Sequence, residues 1–350
     1  MDSGSLATWQ ANTDIMKSIV IWALDGGLAT GVAGLADVLT VANAVAARRR
    51  PRAAEPLFDW RVHSPGGHAI RTAAGLTLQP HGAIDTGVAA DVIYLPGLFI
   101  ESTGPELWLE LKRLQWLLPA LRAQHARGAS IAANCTATLL LAEAGLLDGR
   151  RATTSWWLAQ IFQQRYPSVN LHVDEAVTVD RGLYCSGAST AGIQLALRLV
   201  EKFAGRGVSL STAKTLLFDG SRGSQAPYRT LAPAAHVHAD ALVLRGQRWI
   251  ERRLGEPFEL GLLAQALAVS ERTVIRRFKA ALGTTPGHHA QRMKVESAKG
   301  LLESGTLGWD QVCERVGYAD ASSFRRLFKR EVGVSPGQYQ ARFAARSAAA

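Results

Sequence analysis

The chain has 350 residues, 47% of them hydrophobic, and its 39 Lys and Arg outweigh 29 Asp and Glu for a formal charge of +10. That length and apolar content fit two or three domains with cores of their own, while three scattered cysteines exclude a disulfide framework. No apolar run in the sequence reads as long enough to span a membrane, and the opening residues lack the basic and apolar regions of a leader, so a cytoplasmic globular protein with no membrane partner is expected.

Residues 1–16 show no period and many small polar residues, and read as a flexible tail. Residues 17–24 (KSIVIWAL) and 90–95 (ADVIYL) are short apolar runs closed by Gly or Pro, the pattern of strands buried on both faces. Residues 58–64 add a strand with partial alternation. Helical patterns follow at 34–50, 105–127, 136–144, 155–166 and 190–203. Strands alternating with helices predict an α/β unit with a mostly parallel sheet covered on both faces, whose ligands bind beyond the carboxyl ends of the strands.

One such end lies at residues 128–157 (GASIAANCTATLLLAEAGLLDGRRATTSWW). A strand at 130–133 runs into Asn134, Cys135 and Thr136 and at once into a helix, which places Cys135 in a sharp turn with its sulfur near a helix N-terminus. Such a position lowers a thiol pKa in principle. Nucleophilic catalysis also needs a base and a group to orient it, yet His63, His68, His81, His125 and His172 are scattered without a motif. A small apolar residue in a tight turn is therefore the simpler reading of Cys135. Cys135, Thr136, Ser155 and Trp156 are the candidate effector-binding residues, with Trp156 and Trp157 at the expected mouth and at least one of the two expected in the core. No zinc-ligand spacing or phosphate loop occurs, so neither metal nor cofactor is expected.

Residues 219–239 are rich in Gly, Ser, Pro and His and read as a linker. Beyond them the charge concentrates. Residues 241–350 hold 18 Lys and Arg against 10 Asp and Glu, or +8, whereas the first 240 hold 21 against 19, or +2. A basic domain gains affinity for nucleic acid by releasing condensed counterions.

Within this tail, SERTVIRRFKAALGTTPG (270–287) returns as DASSFRRLFKREVGVSPG (320–337). Val274, Phe278 and Leu282, like Phe324, Phe328 and Val332, recur at i, i+4, i+8 and define the inner face of a helix. The outer faces carry Arg272, Arg276 and Lys279 in the first copy and Arg325, Arg326 and Lys329 in the second. A shorter amphipathic segment precedes each (259–270 and 309–320), and Ser270 and Asp320 stand where an N-cap is wanted. Short helix, tight turn and basic helix, twice in register, predict tandem helix-turn-helix units in an all-α domain.

These residues carry a resemblance. The tail resembles the AraC/XylS DNA-binding domain through RRFK (276–279) and VGYADASSFRRLFKREVGVSP (316–336). Residues 17 to about 203 resemble the PfpI-like, class I glutamine amidotransferase-like fold through Leu95-Pro96-Gly97, the Cys135 elbow, AGLLDGRRATT (144–154) and GASTAGIQLALRLV (187–200). Together they are similar to the GlxA-like transcriptional regulators. The resemblance implies a flavodoxin-like sheet sandwiched by helices. It also implies five segments: the tail 1–16, a sensing and dimerisation domain at 17–218, the linker 219–239, a DNA-binding domain at 240–343 and a tail at 344–350. Enzymes of the superfamily use the elbow cysteine, a histidine after the Thr-Thr pair and an acid in the loop after the first strand. Here Ser155 follows Thr153-Thr154 and Gly31 falls where the acid would stand, so the implied protein is a regulator, an activator, with a catalytically degenerate sensor. The alternatives are a cysteine-dependent hydrolase, or a thiol redox sensor in which Cys135 oxidises against Cys185, fused to a DNA-binding domain; Cys313 reads as core.

The resemblance further implies that both basic helices enter successive major grooves, about 34 Å apart. Arg272, Ile275 and Arg276, with Ala321, Ser322, Ser323, Arg325 and Arg326, would face bases or adjacent phosphates; Lys279, Arg277 and Lys329 would hold phosphates. The implied partners are double-stranded operator DNA, a small-molecule effector, RNA polymerase and a second copy of the chain.

Overall fold

The computed structural model describes residues 16–49, 55–85, 87, 89–100, 104–220, 223–230 and 240–344. The expected tails, apart from Met16 and Ala344, lie outside the described residues, and so do 221–222 and 231–239 of the expected linker. The chain divides into two compact units, Met1–Gln225 and Ala226–Ala350.

The first unit contains β1 (Lys17–Trp22), α1 (Ala29–Arg49), β2 (Phe58–Ser64), the short pair β3 (Ile70–Arg71) and β4 (Thr77–Leu78), β5 (Gly82–Ala83) and β6 (Val92–Leu95). It continues through α2 (Pro105–Arg113), α3 (Leu117–Ala126), β7 (Ser130–Asn134), α4 (Thr138–Glu143), β8 (Arg151–Ala152), α5 (Ala159–Arg165), β9 (Asn170–Leu171), β10 (Val177–Asp180), β11 (Leu183–Ser186) and α6 (Ala191–Thr215). Seven strands form one sheet in the order β10-β11-β7-β6-β1-β2-β5, all neighbours parallel except β10 with β11.

Side-chain alternation builds the two layers. Val20 and Trp22 of β1, Ile93 and Leu95 of β6, and Ile131 and Ala133 of β7 face a core shared with α2, α3 and α4. The intervening Ile19 and Ile21, Val92 and Tyr94, and Ala132 face α1 and α6. With both faces covered, each central strand reads as a continuous apolar run.

Three helical expectations are corrected. The single helix expected at 105–127 is two, because Pro119 has no N–H to donate and its ring would meet the carbonyl of Gln115, so the chain turns before α3 begins. The helix expected to end at Phe203 runs on to Thr215, across a break where Gly205 takes φ 81° and ψ 161°. The helix expected from Gly34 starts five residues earlier, at Ala29. This α1 is, by length and composition, apolar enough to cross a bilayer, contrary to the sequence reading. Val32, Leu35, Val38, Leu39 and Ala42 are instead buried in the core beneath the sheet, which makes it a core helix.

The second unit is all-helical: α7 (Ala241–Arg252), α8 (Leu260–Leu267), α9 (Glu271–Leu282), α10 (Pro286–Glu303), α11 (Trp309–Arg315), α12 (Ala321–Val332) and α13 (Pro336–Phe343). It has two cores. Val274 and Phe278 of α9 pack with Val243, Ile250, Leu263 and Leu267. Phe324, Phe328 and Val332 of α12 pack with Val312, Cys313, Leu302 and Tyr339. The long α10 serves both, Ala290 in the first and Val295, Ala298 and Leu302 in the second.

Candidate nucleic-acid interface and sensor site

Local chemistry sets the ends of the two basic helices. Ser270 Oγ accepts the amide of Thr273 and Asp320 accepts that of Ser322, satisfying first-turn N–H groups that have no partner within the helix. Gly283 and Gly333 close the helices in the left-handed region, at φ 69° and 79°. Between caps, Val274, Phe278, Phe324 and Phe328 are fully buried, as the spacing predicts.

The opposite faces are open. Arg272, Arg276, Lys279, Ser322, Arg325, Arg326 and Lys329 are exposed, while Ile275, Ser323 and Ala321 are half-buried. The Arg325 guanidinium lies 5.9 Å from the Trp309 ring centroid. Trp309 in turn donates its indole N–H to the Ala321 carbonyl at 3.2 Å, so Ala321 helps to lock the start of α12. One reading is corrected. Arg277 is held by Asp240, with N–O distances of 2.6 and 2.8 Å, and fastens α9 to the N-cap of α7; it is not a free cation awaiting phosphate.

In the first unit, Cys135 occupies the expected strand-to-helix turn with φ 58°, a conformation that costs a residue bearing a Cβ. The turn is over-determined. Thr136 Oγ1 lies 2.7 Å from the amide and 2.8 Å from the carbonyl of Leu98, tying two strand ends together. Thr138 Oγ1 lies 2.8 Å from the Cys135 carbonyl and 2.7 Å from Thr154 Oγ1. Gly97 must be glycine-sized, since a Cβ there would fall 2.8 Å from that of Cys135.

Cys135 is 3% exposed. Burial pushes its pKa up, only partly offset by the hydrogen bond that Ser155 Oγ donates to Sγ at 2.8 Å. The lowering expected from a helix N-terminus is therefore overturned by desolvation. Gly31 packs so tightly on Pro96 that a Cβ would come within 2.9 Å of the proline's Cβ, which leaves no room for an acid. Cys185, on the strand beside β7, is free and buried, its thiol pushed up to about 12 by burial. Trp156 is half-buried and Trp157 is 39% exposed, their rings edge to face at 5.3 Å, so neither is the core residue expected.

Sequence reasoning missed two residues here. Gln225, inside the stretch read as linker, is buried and donates through Nε2 to the carbonyls of Val173 at 2.6 Å and Thr154 at 2.7 Å. Asn134 donates to the Ser189 carbonyl at 3.0 Å. Asn134 Oδ1, Ser186 Oγ and Gln225 Oε1 are buried without a hydrogen-bond partner among the described residues. Ser186 pairs with Asn134 in the sheet, and a Cβ on Gly187 would meet the Gln225 side chain, so the three residues lie at or just beyond the carboxyl ends of β7 and β11.

An α/β unit with a cysteine elbow, followed by tandem helix-turn-helix units, defines a DNA-binding transcriptional regulator. The DJ-1/PfpI family model matches residues 39–202, and a helix-turn-helix domain model matches 263–342. The chain is 26% identical over 287 residues to the HTH-type transcriptional regulator CdhR of Pseudomonas aeruginosa, covering 81% of this chain and 82% of that one. It is 30% identical to the HTH-type transcriptional regulator Rv1931c of Mycobacterium tuberculosis, over 60% of this chain and 82% of the relative. The isonitrile hydratase of Pseudomonas putida is also 30% identical, over 50% of this chain and 75% of its own length. The chain belongs to the GlxA-like, AraC-type transcriptional regulators that carry a DJ-1/PfpI domain, and is a regulator rather than an enzyme.

Proposed function

We propose that the DJ-1/PfpI-like unit receives a small metabolite at the carboxyl ends of β7 and β11 and changes how the helix-turn-helix unit engages operator DNA. The observation that carries this is the set of buried polar atoms on Asn134, Ser186 and Gln225, at the strand ends next to the Cys135 turn, that have no hydrogen-bond partner among the described residues. Buried polar groups are almost always paired, so a site holding three such atoms invites a polar ligand. Cys135, Thr136 and Ser155 are themselves buried, so entry requires the surrounding residues to move. Within this reading the sensing domain is 17–218, with Gln225 of the adjoining stretch completing its site, and the DNA-binding domain is 240–343. Arg272, Ile275, Arg276, Arg325 and Arg326 read bases or neighbouring phosphates, as Ser322 and Ser323 do, and Lys279 and Lys329 hold the backbone. The protein acts in the cytoplasm as a homodimeric activator in contact with RNA polymerase.

A thermal-shift series on the full-length protein with amino acids, quaternary amines and amides tests the sensor reading, with operator affinity measured for each compound that raises Tm. At least one compound is expected to raise Tm and to change operator affinity, and both effects are expected to shrink in Ser155→Trp, which fills the site. A compound that stabilises the protein equally in wild type and Ser155→Trp would place its site elsewhere. Turnover of an isonitrile abolished by Cys135→Ser would favour the enzyme alternative instead. A normal effector and peroxide response in Cys135→Ser ends the thiol-switch reading.

A further inference from the structure

Lys294, on the central helix α10, is 5% exposed. Lysine is almost never buried so deeply, because stripping water from an ammonium is costly unless partners replace it. Here the partners are backbone carbonyls. Nζ donates to Leu254 at 2.6 Å, Glu256 at 2.8 Å and Val316 at 2.6 Å, with Gly317 a fourth oxygen at 3.4 Å. The first two lie between α7 and α8 and belong to the first helix-turn-helix half. The others form the turn between α11 and α12, within the second.

The two backbones touch at the same place. Gly317 takes φ 64°, and a Cβ on it would fall 2.2 Å from the Gly255 carbonyl oxygen. Carbonyl oxygens from both halves thus converge on one point, where their like partial charges would drive the halves apart. A single ammonium with three N–H donors neutralises them and ties both segments to α10.

We infer that Lys294 is a positioning residue that fixes α9 relative to α12, and so sets the number of base pairs separating the two DNA segments this protein reads. Moving a recognition segment by one base pair shifts it about 3.4 Å along the duplex and turns it by about 34°. A seam held by short, charge-assisted hydrogen bonds cannot follow such a change without breaking them.

The test uses the full-length protein and an operator selected by it from random DNA, remade with the spacer between the two segments changed by one and two base pairs either way. Wild type is expected to bind one spacing best and to lose at least about tenfold in affinity two base pairs away. Lys294→Met is expected to bind the best spacing about tenfold more weakly, the effect of losing roughly one charge-assisted hydrogen bond, and to show a flattened spacing profile. Lys294→Arg, which keeps a cation with N–H donors, restores the peak. A Lys294→Met protein weakened by the same factor at every spacing would assign the residue to stability alone and overturn the inference. A flat profile in wild type overturns it without any variant, and if Lys294→Met fails to fold, Lys294→Gln, which keeps an N–H donor but no charge, takes its place, with a flattened profile expected and an unchanged peak overturning the inference.

Discussion

Cys135 keeps the backbone of a nucleophile and has lost the histidine and acid expected beside it, with Ser155 and Gly31 in their places. The strained φ of 58° persists because Thr136, Thr138 and Thr154 hold the turn from three sides. Desolvation then pushes the thiol up, and Ser155 can donate to the sulfur but cannot take its proton at neutral pH. Gly31 makes the loss structural. Gly31→Ala is expected to destabilise the protein by about 1 to 3 kcal/mol, since its methyl must displace Pro96; a denaturant midpoint unchanged from wild type would refute that. At this scale the sequence was informative where chemistry is local. Cys135, Ser155 and Gly31 stand at fixed offsets from a strand end or a Thr-Thr pair. Gln225 was invisible because its partners at Thr154 and Val173 lie 71 and 52 positions away and nothing in a Gly- and Ser-rich stretch marks it.

Among elements, the basic helices were the most legible. Twelve residues of helical period between a cap and a left-handed glycine, written twice, leave little else for the chain to do. The edge pair β10 and β11 and the short strands β3, β4, β8 and β9 were not legible, since two to four residues carry no period and their pairing is set by tertiary register. Helix α7 was also missed, although it fixes the first recognition helix. Its cap, Asp240, accepts the amides of Leu242 and Val243 and pairs with Arg277, which holds the carboxyl down at about 2. Because folding lowers this pKa, the pair's contribution is fully present above the unfolded value of about 3.9 and fades as the pH falls through about 2. Asp240→Asn, which keeps a capping oxygen but no charge, is expected to lower Tm at pH 7 and to have little effect near pH 2. No loss at either value would show that capping alone mattered, and equal losses at both would show that the charge of Asp240 contributes nothing. The exposure of Arg277 keeps the expected shift small.

The whole molecule separates two tasks by charge. The +8 of residues 241–350 against +2 for the rest gives the second unit its attraction for a polyanion, while the first is close to neutral in formal charge. Two cores sharing α10 let the helix-turn-helix halves act as a pair of reading heads. The most direct measurement of this account is the affinity of the full-length protein for its operator and for random DNA, from 50 to 200 mM salt, in wild type and in Arg276→Ala with Arg326→Ala. Both arginines are exposed and their removal is expected to leave the fold intact within about 0.5 kcal/mol. The double variant is expected to lose most of the operator preference, each arginine–base pairing being worth about 1 to 3 kcal/mol, with a salt slope reduced by about 0.9 for each phosphate no longer neutralised. An operator preference and salt slope both equal to wild type would contradict the assignment of these helices as the DNA-reading elements.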